Sequence, residues 1–403
     1  MPAELDIWLG TRTDLSLESG PGLGTKRTRS RGPTIVAFAI AAIAAVALIA
    51  IWPRIAVDAP DAARDPIAVD LYERGTALWQ QRGEVPNQLA IKLLTQAVER
   101  DDSYAEAWSA LSFAWMTLPT YSDEVPASET IDEALLAADR ALQLDPTLVE
   151  ARSAMAALAQ ERGDWLSSER IFLHALELKP NDTTLMLWLA AHYRELGLME
   201  QAMMLTDAAL ELEPSSPPIL TEAAMNNFQI GRMEQAETAL DYLWFDLGVE
   251  TPVVWIGRWF MMMENEDYVA AGLWVEETPF TTFAPTLRAY IAFREGTVSD
   301  PASLIIEITE AHRNGIPGWL AFHMLDQGGF SDPALEVLDE DSSDGYFQTS
   351  VVLFHERGGE ARKRAEFADF IERLGFYEYW ALRGAPDMCK RDPDIALCRR
   401  LSE

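Results

Sequence analysis

Small and large apolar residues recur along residues 134–231 at one fixed interval, with polar residues between them. The interval is 34 residues for alanine, glycine and proline alike. A repeat of this length is typical of arrays in which one helical hairpin stacks on the next. The series are Ala141, Ala175 and Ala209; Gly163, Gly197 and Gly231; Pro146, Pro180 and Pro214; and Ala134, Ser168, Ala202 and Ala236.

Each repeat predicts a helix, a short turn, a second helix and a stop. The glycines stand where the first helix must end, because glycine adopts the left-handed conformation of a reversing turn at little cost. The prolines stand just past the second helix, which proline cannot continue. Small residues leave room for a neighbouring helix, and large apolar residues fill the space between helices. The small residues on first helices are Ala156, Ala190 and Ala224, and the large ones are Met155, Phe172, Leu176, Leu189, Tyr193, Leu205 and Leu210.

One hairpin cannot bury its apolar face alone, whereas stacked hairpins form a continuous core, so we expect at least three repeats. The pattern resembles the tetratricopeptide repeat (TPR), and the repeat over residues 183–214 matches its consensus best. The resemblance implies an all-α superhelical solenoid of about five repeats; an unrelated helical hairpin repeat is the alternative. The matching residues are Leu189, Ala190, Tyr193, Gly197, Ala202, Ala209 and Pro214.

We predict the TPR array over residues 68–248, then degenerate helical repeats with a C-terminal cap over 249–403. The interval from Ala97 to Ala141 is 44 residues, which indicates an insertion of about ten residues near 119–128. Such an insertion forms a loop on one face of a solenoid, either for binding or as a tolerated surface loop. The aromatic and methionine stripe beyond the array is more typical of a core than of a ligand pocket. It consists of Trp255, Trp259, Met262 and Trp274.

An uncharged apolar stretch at residues 34–52 follows a basic cluster that begins at Lys26. A helix of this length spans about 28 Å, close to the hydrocarbon thickness of a bilayer. We therefore predict a disordered cytoplasmic tail at 1–33, a single N-terminal transmembrane helix at 34–52 and a linker at 53–67. The basic cluster should stay in the cytoplasm, which places the array in the periplasm at the inner membrane of a diderm bacterium. A cleaved signal peptide and a buried core helix are the alternatives for the apolar stretch, and a nucleic-acid-binding arm is the alternative for the basic cluster, which the flank of a membrane helix explains more simply.

The 403 residues have a formal net charge of −32, which argues against a nucleic-acid surface and favours a basic partner. The sequence contains no phosphate-binding loop, nucleophile elbow or His-Glu-x-x-His motif, and its five histidines lack metal-ligand spacing. The acidic segment 339–347 does not fit a calcium loop, because the twelfth position would be Val351 rather than glutamate. We therefore expect no enzymatic activity, no cofactor and no metal; an enzyme of unknown type in the degenerate region 252–360 is the alternative, although no group of catalytic residues supports it.

The two cysteines of the chain, Cys389 and Cys398, predict a disulfide in an oxidising compartment, because they are close in sequence. The surrounding segment resembles the end of the periplasmic TPR region of transmembrane winged-helix transcription regulators, and of TPR regions linked to adenylate cyclases. The resemblance implies an outer sensing or docking domain. Only 33 residues precede the apolar stretch, too few for a winged helix, so neither DNA binding nor cyclase activity is inferred. The resembling residues are Phe367, Leu374, Gly375, Tyr379, Trp380, Pro386, Asp387 and Cys389, with Leu71, Tyr72, Gly75, Leu78 and Trp79 near the start.

The predicted binding surface is the concave groove of the first helices, where positions 2, 5, 9, 12 and 13 of each repeat face inward. We expect a protein or peptide partner there; ordinary solvated faces are the alternative. The function predicted is a membrane-anchored scaffold or sensor module in the cell envelope, or else a signalling protein acting through a separate cytoplasmic effector. The groove residues are Phe113, Met116, Glu150, Ser153, Gln160, Leu187, Arg194, Glu195, Thr221, Met225, Phe228 and Gln229.

Overall fold

The computed structural model describes residues 64–80, 84–118, 127–277, 283–342 and 352–402, and these residues form helices and turns without β-strands. The predicted all-α class is confirmed for this part of the chain. The predicted tail at 1–33 and transmembrane helix at 34–52 lie outside the described residues, as do most of the predicted linker and of the acidic segment 339–347. Among the described helices, none combines the length and the apolar composition needed to cross a membrane.

Five helical hairpins follow one another at the start of the described chain, each packed against the next. In the second, third and fourth repeats the second helix ends two residues before the repeat proline, as predicted from the proline positions. The ten helices are α1 (Pro66–Gln80), α2 (Glu84–Arg100), α3 (Ala105–Thr117), α4 (Ala127–Leu144), α5 (Val149–Glu161), α6 (Trp165–Leu178), α7 (Thr183–Glu195), α8 (Met199–Leu212), α9 (Pro217–Gln229) and α10 (Met233–Asp241).

The repeat glycines reverse the chain between the two helices of a hairpin. Gly163, Gly197 and Gly231 have φ angles of 72°, 70° and 75°, in the left-handed region that a side chain disfavours. The first helix of each hairpin ends two residues before its glycine, at the position that the sequence predicts. After the first of these turns an aspartate begins the next helix: Asp164 accepts a hydrogen bond from the backbone N–H of Ser167 at 3.1 Å. Asp267 caps α12 in the same way beyond the repeats.

The apolar positions of the repeat form the core between hairpins. The small residues Ala156, Ala190 and Ala224 are fully buried, so neighbouring helices approach closely at these points. Among the large residues, Met155 and Leu210 are only half-buried, because they lie at the margin of the helix contacts rather than between them. The fully or almost fully buried large residues are Phe172, Leu176, Leu189, Tyr193 and Leu205.

Helical hairpins continue beyond the fifth repeat. One π-helical turn, Tyr242–Asp246, extends α10, and then further helices pack in sequence order. Trp259 is completely buried against Phe260 and Tyr290, whereas Trp274 lies half-buried on Trp255. The tryptophan stripe is therefore mainly packing. The helices are α11 (Pro252–Glu264), α12 (Tyr268–Glu276), α13 (Ala284–Glu295), α14 (Pro301–Arg313), α15 (Gly318–Gln327) and α16 (Ser331–Ser342).

The last described segment, residues 352–402, returns to the array and is called here the C-terminal arm. It crosses three successive glycine turns: Leu374 lies on Gly163, Pro386 on Gly197 and Glu356 on Gly231. One apolar core therefore joins the middle repeats to the end of the chain. The arm contains a 3₁₀ turn (Glu360–Lys363) and the helices α17 (Ala365–Arg373), α18 (Phe376–Arg383), α19 (Met388–Arg391) and α20 (Ala396–Ser402).

Backbone atoms of the array and the arm are hydrogen-bonded to each other at the turns. The N–H of Asp387 donates to the carbonyl of Gly197 at 3.0 Å, and the N–H of Glu356 donates to Gln229 at 2.8 Å. A disulfide joins Cys389 to Cys398 just after the first of these bonds, with the two Cα atoms 5.4 Å apart. The disulfide therefore closes the part of the arm that lies on the fourth repeat.

Candidate functional site

A cleft of about 610 Å³ opens on the concave side of the first four repeats. Its walls come from the first helices α1, α3, α5 and α7 and from the turns that precede them, so no single hairpin forms it alone. The lining residues are Tyr72, Thr76, Trp79, Glu106, Ser109, Ala110, Phe113, Leu148, Val149, Glu150, Ser153, Lys179, Asp182, Thr184, Leu185 and Trp188.

Three aromatic rings, Trp79, Phe113 and Trp188, form a continuous row in the cleft, called here the aromatic ladder. The ring centroids of Trp79 and Phe113 are 5.7 Å apart, and those of Phe113 and Trp188 are 5.5 Å apart. Rings from the second and fourth repeats meet because α5, between them in the chain, presents small side chains there, Ser153 and Ala157. The rings are half-buried, so the ladder offers apolar area to a ligand.

Charged groups surround the aromatic ladder. Glu106 accepts two hydrogen bonds from Arg64 Nη2, at 3.0 and 2.9 Å, and the Arg64 guanidinium lies 4.2 Å from the ring centroid of Tyr104. Burial raises the pKa of Tyr104 to about 12, so this phenol is neutral at ordinary pH. Glu150 pairs with Lys179 at 3.5 Å, with both side chains about half exposed.

The cleft brings together three of the predicted groove residues, Phe113, Glu150 and Ser153. Ser153 is almost completely buried and donates its hydroxyl hydrogen bond to the carbonyl of Val149 at 3.0 Å, so it shapes the cleft rather than offering a donor. The other predicted residues do not line this cleft: Met116, Gln160, Leu187, Arg194, Glu195, Thr221, Met225, Phe228 and Gln229.

Several of those residues are covered by the chain itself. Arg194 is 5% exposed and is paired with Glu222 at 2.9 Å. Phe228 stacks on His355 of the C-terminal arm, with centroids 4.3 Å apart, and Gln229 donates to the carbonyl of Arg194 at 3.2 Å. The position rule finds the inward face of the helices, but it does not account for a distant segment that folds back over the fifth repeat.

The remaining predicted residues lie along the same side of the array, outside the cleft. Gln160 donates to Glu195 at 3.4 Å, which links the third and fourth repeats. Met116 is buried in a small cluster with Ala157, and the others are half-buried. The half-buried residues are Leu187, Thr221 and Met225.

Sequence reasoning missed several lining residues that its own rule could have named. Glu106 and Ser109 occupy positions 2 and 5 of the second repeat, and Thr184 occupies position 2 of the fourth. Trp188 occupies position 6, which is not one of the inward positions of the rule. It lies in the cleft because α5 presents small residues beside it, so its own position in the repeat did not predict it.

A second cleft, also of about 610 Å³, lies between α6 and α18 and contains Arg170, His174 and Arg383. One repeat and the C-terminal arm form it, so it does not continue along the array. Within the described ranges, no three His, Cys, Asp or Glu side chains are grouped so that they could hold a metal ion. The cleft of the first helices is therefore the stronger candidate site.

No protein-family model and no curated protein sequence matches the chain. Among solved structures, it is similar to the human IFIT1 dimer with m7Gppp-AAAA, at 16% identity and a TM-score of 0.51, with 83% of this chain and 77% of that chain covered. A TPR protein from Parabacteroides merdae gives 15% identity and a TM-score of 0.44, with 66% and 99% covered. Yeast Tom70 gives 16% identity and a TM-score of 0.45, with 83% of this chain and 69% of that chain covered.

The likeness to the IFIT1 structure concerns the fold alone, and the hairpins of the described chain, with their 34-residue spacing, form a helical solenoid of the kind that the repeat predicts. At such identities the likenesses carry no information about the ligand. The resemblance to winged-helix regulators stays a prediction.

Proposed function

We propose that this protein is an interaction module that binds an extended segment of a protein or peptide partner in the cleft of its first four repeats. The aromatic ladder is the observation that supports this proposal most directly. Its half-buried rings are contributed by three different repeats and lie in one concave surface. Rigid aromatic anchors in a preformed cleft are what an extended segment needs for tight binding.

Panning of a random-peptide display library against the full chain tests this function. Peptides that bind the cleft should be enriched by the native chain and lost with Ala110→Arg, because Ala110 is a half-buried lining residue and an arginine there occupies the cleft. The matched control is Ala77→Arg, an exposed position on α1 outside the cleft, which should retain the same peptides. Enrichment that is identical for both variants would contradict the proposal.

We further propose that residues 34–52 anchor the chain in the bacterial inner membrane and that the array lies in the periplasm. The uncharged stretch, its basic flank and a cysteine pair suited to an oxidising compartment support this topology. Reporters active only in the periplasm or only in the cytoplasm, fused after the last residue, should show a periplasmic C-terminus. A cytoplasmic signal would contradict the proposed orientation.

The alternative function is signalling through a separate cytoplasmic effector. The C-terminal motif that resembles transmembrane regulators favours it, although in this structure Trp380 and Asp387 of that motif hold the arm to the array. If this function holds, replacement of residues 1–52 by an unrelated membrane anchor should abolish any cellular phenotype that depends on the protein. A phenotype that is fully retained after the exchange would exclude signalling through residues 1–52 and would leave the interaction module as the proposed function.

A further inference from the structure

Beside the cleft, the chain already holds an arginine of its own at a residue that lines the cleft, Glu106. The Arg64 guanidinium stacks on Tyr104 and donates two hydrogen bonds to the carboxylate of Glu106. An aromatic face combined with a carboxylate is the arrangement that recognises a guanidinium, because the ring attracts the cation and the carboxylate accepts its paired hydrogen bonds. Glu106 lines the cleft, so this contact shows that a carboxylate of the cleft accepts a guanidinium.

The cleft contains the same two kinds of group elsewhere in its lining. Glu150 and Asp182 line it together with Trp188 of the aromatic ladder, and Asp182 also caps α7 by accepting a hydrogen bond from the N–H of Leu185 at 3.1 Å. The partner of Glu150 is Lys179, at 3.5 Å and about half exposed, and an exposed ion pair of this kind contributes little to stability. A cation from a ligand can therefore replace Lys179 without disturbing the fold.

The cleft has a defined end beyond the fourth repeat. The buried pair of Arg194 and Glu222 and the stacking of His355 on Phe228 occupy part of the inward face there with the protein's own groups. The cleft itself is lined only by residues of the first four repeats, and these are the residues that an occupant contacts.

We propose that the cleft selects an extended peptide segment in which a lysine or arginine stands next to apolar residues. The apolar side chains lie on the aromatic ladder, and the cation lies at Glu150 and Asp182. An acidic segment is disfavoured, because it meets these carboxylates in a chain whose formal net charge is −32. This inference rests on the proposed function and specifies the partner's chemistry.

Fluorescence anisotropy with a labelled decapeptide containing four leucines and two arginines tests the inference on the full chain in detergent. Two matched peptides replace both arginines by glutamate or all leucines by serine. We expect each replacement to weaken binding by about tenfold or more, since charged and apolar contacts contribute separately. The variant Glu150→Lys should weaken binding of the arginine peptide by about tenfold.

The control variant is Glu211→Lys, which makes the same charge change at an exposed position on α8 outside the cleft. It should leave the affinity within about twofold, because an exposed charge that does not line the cleft is screened by solvent and salt. Equal binding of the glutamate peptide, or equal losses in both lysine variants, would overturn the inference. If the display library yields peptides whose binding is lost with Ala110→Arg but which lack basic residues, the inference is wrong and the proposed function still holds. If the library yields no peptide whose binding is lost with Ala110→Arg, both the inference and the proposed function are contradicted.

Discussion

A single buried carboxylate joins the C-terminal arm to the third repeat. Glu169 is 2% exposed and accepts hydrogen bonds from Tyr193 at 3.1 Å, Tyr379 at 2.8 Å and Arg383 Nε at 2.6 Å. Burial raises the pKa of Tyr379, so its hydroxyl keeps the proton that it donates. Glu169 thus bonds to two residues that lie more than two hundred positions away in the sequence, and these bonds couple the repeat to the arm.

Glu169→Gln should lower the free energy of unfolding by about 2–3 kcal/mol, because the buried ion pair with Arg383 is broken while Arg383 keeps its charge. Arg383 is 24% exposed, and water therefore compensates part of the loss. Denaturant unfolding measures the change. The control Glu276→Gln removes an exposed pair with Arg288 and should change stability by less than about 1 kcal/mol; equal effects would contradict a special role for Glu169.

Buried histidines make stability depend on pH. Burial holds the pKa of His192 and of His355 at about 3, below the ordinary value of 6.5, and lowers that of His323 as well. Between pH 6.5 and 3 these histidines bind protons in the unfolded chain but stay neutral in the folded chain. Their contribution to the free energy of unfolding is therefore fully present above pH 6.5 and is lost as the pH falls. His192 and His355 each contribute a slope of about 1.4 kcal/mol per pH unit in this window.

His192→Gln should therefore reduce the slope of stability against pH by about 1.4 kcal/mol per pH unit below pH 6.5. Above that pH, the stability curves of the variant and the native chain should run parallel, since the neutral imidazole binds no proton there. Thermal melting at several pH values gives both quantities. An unchanged slope at low pH would show that His192 is not protonated on unfolding.

At the scale of elements, the glycine turns serve two purposes. They reverse the chain within a hairpin, and they let the arm approach the backbone. A Cβ atom on Gly197 would lie 3.0 Å from both Phe354 and Pro386, closer than ordinary van der Waals contact. Gly296, which ends α13 with a φ of 81°, has open space at the same place.

Gly197→Ala should therefore destabilise the protein more than Gly296→Ala. Both substitutions carry the backbone cost of a left-handed alanine, about 1–2 kcal/mol. Only the first adds overpacking against the arm, about 1–3 kcal/mol more. Denaturant unfolding of both variants under the same conditions measures the difference between their free energies of unfolding. Equal losses of stability would contradict the prediction, because they would mean that the arm moves away from a Cβ at position 197 without destabilising the fold.

At the scale of the whole molecule, the arm converts an open row of hairpins into a structure closed along its turn edge. The disulfide between Cys389 and Cys398 closes a loop with a sequence separation of 9, next to the hydrogen bond from Asp387 to Gly197. The unfolded chain loses conformational freedom through this closure, and the folded state gains relative stability.

Replacement of both cysteines by serine should lower the free energy of unfolding by about 2–3 kcal/mol, the value expected for a short closed loop. A reducing agent should cause a similar loss in the native chain and none in the serine variant. Denaturant unfolding with and without reductant measures both. A reductant effect that persists in the serine variant would show that its cause is not the disulfide.

The repeat could be predicted from the sequence because the residues that recur at its period are required by the local structure of each hairpin. A turn needs a residue that tolerates positive φ, a helix cannot continue through proline, and close helix packing needs alanine; Gly197, Pro180 and Ala190 satisfy these needs wherever the hairpin lies. The inward face of the first helices follows from the same local geometry, which is why Phe113 and Glu150 were found.

The arm and the exact extent of the cleft were decided by tertiary structure alone. No periodicity links Glu169 to Arg383, or Phe228 to His355, because these contacts join segments more than a hundred residues apart through shape and hydrogen bonding. Trp188 reaches Phe113 only because α5 presents small residues between them. The sequence by itself determined a solenoid of helical hairpins, through requirements met within each repeat. Only the folded chain decided which part of its concave face is filled by the protein and which part stays open, because that depends on how a distant segment packs.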